Sequence, residues 1–435
     1  MQVAIPAGIG DATAAIQQAV DETSVAGGGI VTLLAGTHLC GPLQLKSRVE
    51  LNLQRGAILA FTPDYERLAG NEVSVVAEGS NRALIVARGA VGIALTGPGE
   101  IRAPGRAYIQ GDDPEVGTLI PASLRPRVVV LEDCADIRIE EIHIADSPMW
   151  TLHLVGCSNV HVSGVVIAND VRLPNTDGIV IDSCSDVLVA NCDIETADDG
   201  VCLKTTNRAS GIGRMANVTV RNCRVSSQSC ALKIGTESFG DIEDVVFEDC
   251  VVFNSNRGLG IFSRDGGHIR RVRFSRIDVE CHETPDGFWG SGEGLTITAL
   301  ARRPGEPVGV VSEIVVEGVG GTVEGAVNLV SPEPGNIRDV VLRAIRLRQR
   351  PGRLGTARRF DLRPTVADLA AAGGKGRPNA WTKDETGRIL GLVDYPDGMP
   401  GLYASGVDNL ELCDVEIDRP TSLPTGWAAV PTQTK

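Results

Sequence analysis

NTDGIVIDSCSDVLVANCDIETADDGVCLK, residues 175–204, is the stretch that decides the fold of this 435-residue chain. It alternates short aliphatic runs with turn residues, a pattern of strand, turn, strand, turn, strand. Runs that recur at intervals of roughly twenty residues or more indicate a solenoid. In a parallel β-solenoid, residues one coil apart lie on the same face, at roughly the 4.8 Å spacing of neighbouring strands. We therefore expect Asp177 to lie beside Asp198 and Asp199, which follow it by 21 and 22 residues.

These three carboxylates are the first candidates for chemistry. Carboxylates packed this closely repel one another, so at least one should have a raised pKa and hold a proton. A glycosidase uses one protonated carboxyl group and one carboxylate at the bond that it cleaves. The spacing therefore favours acid–base cleavage of a glycosidic bond, although a single Asp at a coil corner more often serves only the turn.

Equivalent coil starts occur at Asp136, Asn159 and Asp186, which are 23 and 27 residues apart. Later β-runs near residues 245, 272, 314 and 340 continue the repeat. No linker divides the chain, so we predict a single domain spanning residues 1–435. We expect it to consist of an N-terminal cap with the first strands (1–40), the coils (41–348), an insertion or long loops (349–400), and a last strand with a tail (401–435).

Residues 11–21 predict a helix, because an Asp at the N-cap position is followed by apolar residues at helical spacing and Gly27–Gly29 end the pattern. The open end of a solenoid exposes apolar core and strand edges, so a covering helix is expected there. The predicted class is therefore all-β, a parallel β-solenoid with an N-terminal capping helix.

Composition limits the class of protein further. Glycine is abundant (51 residues), aromatic residues make up 4% of the chain and hydrophobic residues 43%. This suits tight turns and thin aliphatic layers better than a helical bundle. The net charge of −14 argues against a nucleic-acid partner, and no window holds the roughly 18 apolar residues of a membrane span. The sequence leaves the oligomeric state open.

The compartment is inferred from the first residues and from the eleven cysteines. Residues 1–6 lack the basic and apolar regions of a signal peptide. Cys134, Cys157 and Cys184 recur in one context, Cys-Xaa-Asp/Asn-Ile/Val, which indicates small residues stacked at equivalent turns rather than disulfides. We expect a cytoplasmic protein, or a secreted one if a signal has been removed.

The residues around the carboxylates resemble a known family. Residues 175–178 and 197–200 are similar to two of the four signature motifs of the polygalacturonase-type enzymes, glycoside hydrolase family 28. Residues 147–151 and 256–261 resemble the family as well, and the match covers roughly residues 11–345. The resemblance implies a single-stranded right-handed parallel β-helix and inverting hydrolysis of a sugar polymer or oligomer.

The resemblance also assigns roles. It makes Asp198 the general acid, and it makes Asp177 and Asp199 the pair that holds and deprotonates the attacking water. Asn175 would orient Asp177 or a sugar hydroxyl. No cofactor or metal is implied, because protons and water suffice for this chemistry.

Two family motifs are replaced in this chain. Where the family has Gly-His-Gly the chain has Ser229-Cys230-Ala231, and where it has Arg-Ile-Lys, which holds a substrate carboxylate, the chain has Gly260-Ile261-Phe262. We therefore expect a pectin-type or related oligosaccharide whose sugar need not be galacturonate. The missing export signal favours imported short substrates and hence exo action.

Further side chains are expected to bind the substrate. We expect Lys204, Lys233 and Arg264 to cluster near the three Asp residues, where they could grip a carboxylate or hydroxyl groups; a structural ion-pair network is the alternative. The remaining candidates are flat rings for sugar stacking and hydrogen-bonding groups, each with core packing or a rim position as the alternative: Trp150, Trp289, His153 and Glu293.

Two rival functions stay open. The Asp cluster could bind Ca²⁺ through oxygen ligands in a metal-dependent polysaccharide lyase, with Lys233 or Arg264 as the base. The chain could also be a carbohydrate-binding solenoid that has lost its chemistry, since the histidine and both cations of the family motifs are missing.

Overall fold

The computed structural model describes residues 1–285, 288–302, 305–352, 359–363 and 383–435. Its strands stack in parallel register, coil upon coil, so that the predicted solenoid is a parallel β-helix. A 21-stranded sheet forms one part of the wall, with strands Gln2–Ile5, Gly29–Leu33, Gly36–Cys40, Val49–Leu53, Ala57–Phe61, Val91–Thr96, Glu100–Arg102, Ala135–Glu140, His143–Ala145, Ser158–Ser163, Val166–Ala168, Ser185–Ala190, Asp193–Thr196, Met215–Arg221, Arg224–Ser227, Ile242–Glu248, Val251–Ser255, Ile269–Cys281, Val311–Val323, Ile337–Gln349 and Val407–Asp418.

A 13-stranded sheet forms the other part of the wall and carries the candidate site. Its strands before the site are Leu43–Gln44, Glu72–Ala77, Ser80–Arg88 and Arg127–Glu132, and Thr432–Thr434 is its last. Between them lie β1 (Leu152–Val155), β2 (Ile179–Asp182), β3 (Val201–Thr205), β4 (Cys230–Ser238), β5 (Arg257–Ser263), β6 (Leu295–Ala299), β7 (Val327–Val330) and β8 (Leu402–Ser405).

Outside these sheets the described residues form three short antiparallel pairs and two 3₁₀ turns. The pairs are Ile109–Asp113 with Thr118–Pro121, Asn207–Arg208 with Gly211–Ile212, and Arg359–Asp361 with Leu392–Asp394. The 3₁₀ turns are Glu66–Gly70 and Gly105–Tyr108.

Acidic and amide residues at the coil corners set the register. Asp136, Asn159 and Asp186 adopt the left-handed backbone conformation, with φ of 52–55°, which Asn and Asp tolerate better than other side chains. The Asn159 amide donates to Asp136 at 2.6 Å, and the residues after them pair as Ile137↔Val160↔Val187. The three predicted coil starts are therefore equivalent.

The core is one continuous aliphatic stack inside the coils. The residues of β2 and β3 alternate, with Ile179, Ile181 and Leu203 in the core and Val180 and Cys202 on the opposite face. Helix α1 (Thr13–Val25) closes the N-terminal end, with Ile16 and other apolar residues buried. The parallel β-helix with an N-terminal capping helix is thereby confirmed.

The C-terminal part contains more regular structure than one strand and a tail. Residues 401–435 form β8, the long strand Val407–Asp418 and the short strand Thr432–Thr434, which pairs in parallel with β8. Of the expected 349–400 insertion, residues 353–358 and 364–382 lie outside the described residues. Within the described ranges, no helix is both long and apolar enough to cross a membrane.

Candidate active site

The three predicted acids meet where β2 and β3 begin. Asp177 lies two residues before β2, and Asp198 and Asp199 lie just before β3. The Gly178 N–H donates to the Asp199 carbonyl at 2.9 Å, which stacks Asp177 on Asp199. Gly178 permits this approach, because a Cβ at that position would lie 2.6 Å from the Gly200 carbonyl oxygen. One carboxyl oxygen from each Asp lies within 4.8 Å of the other two. We call Asp177, Asp198 and Asp199 the triad.

Two members of the triad bind a proton more readily than a free carboxyl group. Burial raises the pKa of Asp177 well above its ordinary value, and the charge of Asp198 adds to this. Burial also raises the pKa of Asp199, against the opposing effect of Lys233. Sites this close titrate as a unit, so a proton bound by Asp177 or Asp199 is shared between them. Asp198 is the most exposed of the three residues, at 9% against 2%.

Two buried lysines balance the charge of the triad. Lys233 Nζ lies 2.5 Å from Asp199 Oδ2, and Lys204 Nζ lies 3.8 Å from Asp177 Oδ2 and 3.2 Å from Glu237 Oε2. Burial lowers the pKa of Lys204, but the charges of Glu237 and the nearby acids outweigh it and hold that pKa well above its ordinary value. Both lysines are therefore ammonium groups at neutral pH.

Lys233 lies on β4, one coil after β3, and pairs with Cys202, two residues before Lys204. The pairing of β3 with β4 is regular at this point and becomes irregular beyond Leu203, where Thr205 pairs with Ser238. Lys233 reaches the triad because side chains in its position and in that of Cys202 point to the same face.

The triad could hold a divalent cation by oxygen spacing alone, since three carboxyl oxygens approach one another closely. The ammonium groups of Lys204 and Lys233 already lie close to these oxygens. They would repel a metal cation at the same place. The described side chains thus form an acid–base cluster balanced by lysine, which disfavours the metal-dependent lyase.

Asn175 acts on Asp198 rather than on Asp177. Its backbone N–H donates to Asp198 Oδ2 at 3.3 Å, and the residue adopts the left-handed conformation, with φ of 60°. Its side-chain oxygen accepts from the buried guanidinium of Arg125 at 3.0 Å, and Arg125 also donates to the carbonyls of Pro148 and Pro174. Arg125 thus holds the loop that carries Asn175, and no sequence motif pointed to it.

Trp150 and His153 lie beneath the site rather than in it. The ammonium of Lys204 lies 4.2 Å from the centroid of the Trp150 ring, and the Trp150 side chain is 2% exposed. His153 is fully buried, accepts from Arg127 at Nδ1 (3.0 Å) and places Nε2 3.6 Å from Asp182. This placement favours a supporting role for both residues over the sugar contacts expected of them.

The buried His153 predicts a pH-dependent stability. Burial lowers the pKa of His153 to about 4, whereas a histidine in an unfolded chain titrates near 6.5. Between these values the unfolded chain binds a proton that the folded chain does not, so stability rises with pH there and is lost as acid is added. We expect a contribution of up to about 1.4 kcal/mol per pH unit across this window.

Urea unfolding of wild type and His153→Gln from pH 4 to 7 tests this expectation. The curve of the variant should be flatter across the window, while His161→Gln, which removes a half-exposed surface ring, should follow wild type. Parallel curves for wild type and His153→Gln would show that the pKa of His153 is the same in the folded and the unfolded chain, and would contradict the expectation.

Arg264 and Glu293 lie away from the triad, beside a segment that we call the strap, residues 359–363. Arg264 donates to the Leu362 carbonyl of the strap at 3.1 Å, and Glu293 lies 3.5 Å from Arg257 Nε. Arg257 in turn lies 3.5 Å from Asp361. Burial and neighbouring guanidinium groups lower the pKa of Arg264 to about 9.

The expected three-cation cluster therefore consists of Lys204 and Lys233 alone, with Arg264 at the strap. Arg264 and Glu293 are fully buried, so this conformation leaves them no surface for a sugar. The strap contact of Arg257 spans 104 residues, which explains why no local pattern revealed Asp361.

Trp289 is the more exposed of the two predicted aromatic residues. Its ring centroid is 5.9 Å from Lys233 Nζ, its side chain is half-buried, and its indole N–H finds no hydrogen-bond partner among the described residues. Gly260, Thr296 and Asn328 continue the outward-facing row that starts at Lys233. In the part of the chain that the structure describes, the Thr296 hydroxyl and the Asn328 amide nitrogen are buried without partners.

Comparison with known proteins finds a family and relatives that match much of the chain. The model of the family Glycosyl hydrolases family 28 matches residues 31–331. A protein described as "Probable polygalacturonase" from Vitis vinifera is 31% identical over 306 residues, which are 66% of this chain and 61% of that protein. The chain thus spans about three-fifths of the length of this relative.

Solved structures share the fold. An exopolygalacturonase from Thermotoga maritima superposes with a TM-score of 0.65 at 23% identity, covering 80% of this chain and 87% of that one. A polygalacturonase from Erwinia carotovora ssp. carotovora gives a TM-score of 0.61 at 20% identity, covering 79% and 92%. Both likenesses extend over most of the coils.

Proposed function

This chain belongs to glycosyl hydrolases family 28, and from that premise we propose that it hydrolyses glycosidic bonds of a pectin-type or related oligosaccharide at the triad. The single observation that carries the proposal is the arrangement of three buried carboxyl groups within 4.8 Å, two of them with raised pKa values. This is the combination of a held proton and a carboxylate that acid–base hydrolysis requires.

In the proposed mechanism, Asp198 gives the proton of the triad to the glycosidic oxygen as the bond to the anomeric carbon breaks. It is the most exposed of the three side chains, so it is the one that a substrate can reach. Asp177 and Asp199 hold a water molecule, which attacks the anomeric carbon from the opposite face and passes its proton to one of them. The triad then carries the same number of protons as before.

The stereochemistry is the sharpest test of this assignment. Inverting enzymes commonly separate acid and base by roughly 6.5–9.5 Å and retaining enzymes by roughly 5–5.5 Å, whereas the nearest oxygens of the triad lie within 4.8 Å. Lys233 holds Asp199 at its Oδ2, which opposes its use as a covalent nucleophile and leaves Oδ1 to a water. We therefore propose inversion.

Exo action is supported by two segments that cover the outer face on either side of the triad, along the axis of the β-helix. On the N-terminal side, Glu72–Ala77 lies across the outer face, where Val73 and Val75 pack on Val130 and Val155. On the C-terminal side, the strap is anchored by Arg257, with Asp361 1% exposed. An outer face that is covered on both sides of the triad suits the end of a sugar chain better than its middle.

An uncharged terminal sugar is supported by the partners of the cations. Lys204, Lys233 and Arg257 are each ion-paired with buried carboxylates, so a substrate carboxylate would have to compete for them. Among the described residues, uncharged groups of the same region also lack a hydrogen-bond partner, namely the hydroxyls of Thr296 and Thr298 and the amide nitrogen of Asn328, whereas the charged atoms without one, such as Arg257 Nε, belong to side chains that are ion-paired. Such uncharged groups suit sugar hydroxyls better than a carboxylate.

The test uses oligogalacturonides and the same oligomers after reduction of their carboxyl groups, a pair that shares linkage and length and differs in charge. We expect release of monosaccharides only, in the inverted anomeric form by NMR, and kcat/KM at least about tenfold higher on the reduced oligomers, a difference of about 1.4 kcal/mol. A mixture of longer products would contradict exo action, and retention would contradict the water-holding pair. Preference for the uronates would contradict the neutral sugar, and no cleavage of any pectic oligomer would overturn the proposal.

A further inference from the structure

The position of the missing motif histidine is filled by a group that cannot replace it. Cys230 is fully buried, and its thiol is 3.6 Å from the Leu232 carbonyl oxygen. Burial, together with the charge of Asp199, raises the pKa of this thiol to about 12. Cys230 therefore remains neutral at physiological pH and offers the triad no positive charge.

A cation reaches the triad from three residues further along the same strand. Lys233 lies on β4 in the outward row, between Cys202 of β3 and Gly260 of β5. Its Nζ is 2.5 Å from Asp199 Oδ2, and both side chains are nearly buried. Position 260 requires glycine, since a Cβ there would lie 2.3 Å from the Phe262 ring and 2.8 Å from the Cys230 sulfur.

The contact with Lys233 places the two carboxyl oxygens of Asp199 in different environments. Oδ2 is held by the ammonium, while Oδ1 is buried and has no hydrogen-bond partner in the structure. A buried carboxylate oxygen without a donor is costly and suits a water or a substrate hydroxyl. The ammonium thereby opposes the protonation of Asp199 that burial favours, and it leaves one carboxyl oxygen of Asp199 free.

From this geometry we infer that Lys233 is a positioning residue that replaces the motif histidine, keeping Asp199 ionised and aimed at the attacking water. The inference rests on the proposed hydrolase function and changes its pH dependence. A histidine is charged only below about pH 6.5, whereas a lysine ammonium stays charged throughout the neutral range. The chain therefore keeps its paired Asp199 at pH values where a histidine would have lost its charge.

Other charged and titratable groups act on Asp199 as well, so the test must isolate Lys233. They come from the strands on either side and from the triad itself: Asp177, Asp198, Cys202, Lys204, Cys230 and Arg257. Removing Lys233 leaves all of them in place. Lys233→Met removes only the charge at nearly the same length, and Lys233→Arg keeps it.

The first experiment measures kcat/KM against pH for wild type, Lys233→Met, Lys233→Arg and the double variant Cys230→His/Lys233→Met. In Lys233→Met the acidic midpoint should move up by about 1–3 pH units, while Lys233→Arg should stay closer to wild type. The double variant should regain activity only below about pH 6.5. A role confined to stability would lower the melting temperature without moving the midpoint, and this result would overturn the inference.

The second experiment needs no turnover, so it separates this inference from the proposed function. The free energy of unfolding is measured across pH for wild type, Lys233→Met, Asp199→Asn and the double variant Asp199→Asn/Lys233→Met. The difference in the free energy of unfolding between wild type and Lys233→Met should increase as pH rises through the ionisation of Asp199. This increase should vanish when the same substitution is made in the Asp199→Asn variant. If the two substitutions add independently at every pH, the inference fails, whether or not wild type cleaves any glycan.

Discussion

Asp198→Asn should lower kcat by about 10²- to 10⁴-fold, the range that a general acid contributes, with little change in KM. The amide keeps the shape of the side chain but has no acidic proton to give to the leaving oxygen. Each carboxyl oxygen of Asp198 accepts a backbone N–H, from Asn175 and from Asp199, so the substitution also perturbs one of these bonds locally. Steady-state kinetics on the substrate that wild type cleaves fastest measures the effect.

Asp193→Asn is the matched control for this loss of activity. Asp193 lies five residues earlier on the surface, with its side chain half exposed and paired with Arg224, so the same chemical change there should leave kcat within about twofold, as expected of a surface site. A substrate with a very good leaving group needs less protonation and should lose less rate in Asp198→Asn. Equal loss on both kinds of substrate would assign Asp198 a role other than the acid.

The second large effect is on stability. Phe247→Ala should lower the free energy of unfolding by about 3–5 kcal/mol, the usual cost of removing a buried aromatic ring. Phe247 and Phe274 occupy the same position in neighbouring coils and stack with centroids 4.9 Å apart and an interplanar angle of 5°. Val220 precedes them in the row, and β-strand pairing on both sides keeps the wall from closing over the gap.

Phe253→Ala is the control, because the ring lies on the outer side of the next strand beneath the Arg224 guanidinium at 3.4 Å. Losing that exposed contact should cost about 0.5–1 kcal/mol. Urea unfolding followed by circular dichroism measures both variants. Similar losses for the two would show that the stack carries no special share of the core's stability.

The features that the sequence predicts best are those that depend on contacts between neighbouring coils. The coil starts and the triad follow from residues that recur at a fixed interval and tolerate the left-handed corner, and each of these contacts lies one coil away. Lys204 and Lys233 were expected near the triad and lie there, whereas the pairing of β3 and β4 becomes irregular beyond Leu203. No repeat signals that irregularity.

Contacts between loops cannot be predicted from the repeat of the coils. Arg125 reaches Asn175 across 50 residues, and Arg257 reaches the strap across 104. Asn175 lies in a turn and Asp361 in a short strand outside the two main sheets, and neither segment belongs to the repeat of the coils. His153 and Glu293 show the converse limit, because a polar residue near the motifs suggests a sugar contact, whereas in the structure both are buried against arginine.

The strap has a consequence for how this chain can change over evolution. The entropy of closing a flexible loop grows only with the logarithm of its length, so joining residues 104 apart costs only about 1 kcal/mol more than joining the 34 that separate Asp199 from Lys233. Insertions and deletions between the coils and the strap are therefore cheap. The chemistry is confined to three consecutive coils of low contact order. The segment that carries the strap can therefore lengthen, shorten or be exchanged without disturbing these coils. Substrate length and catalytic power can thus be selected independently.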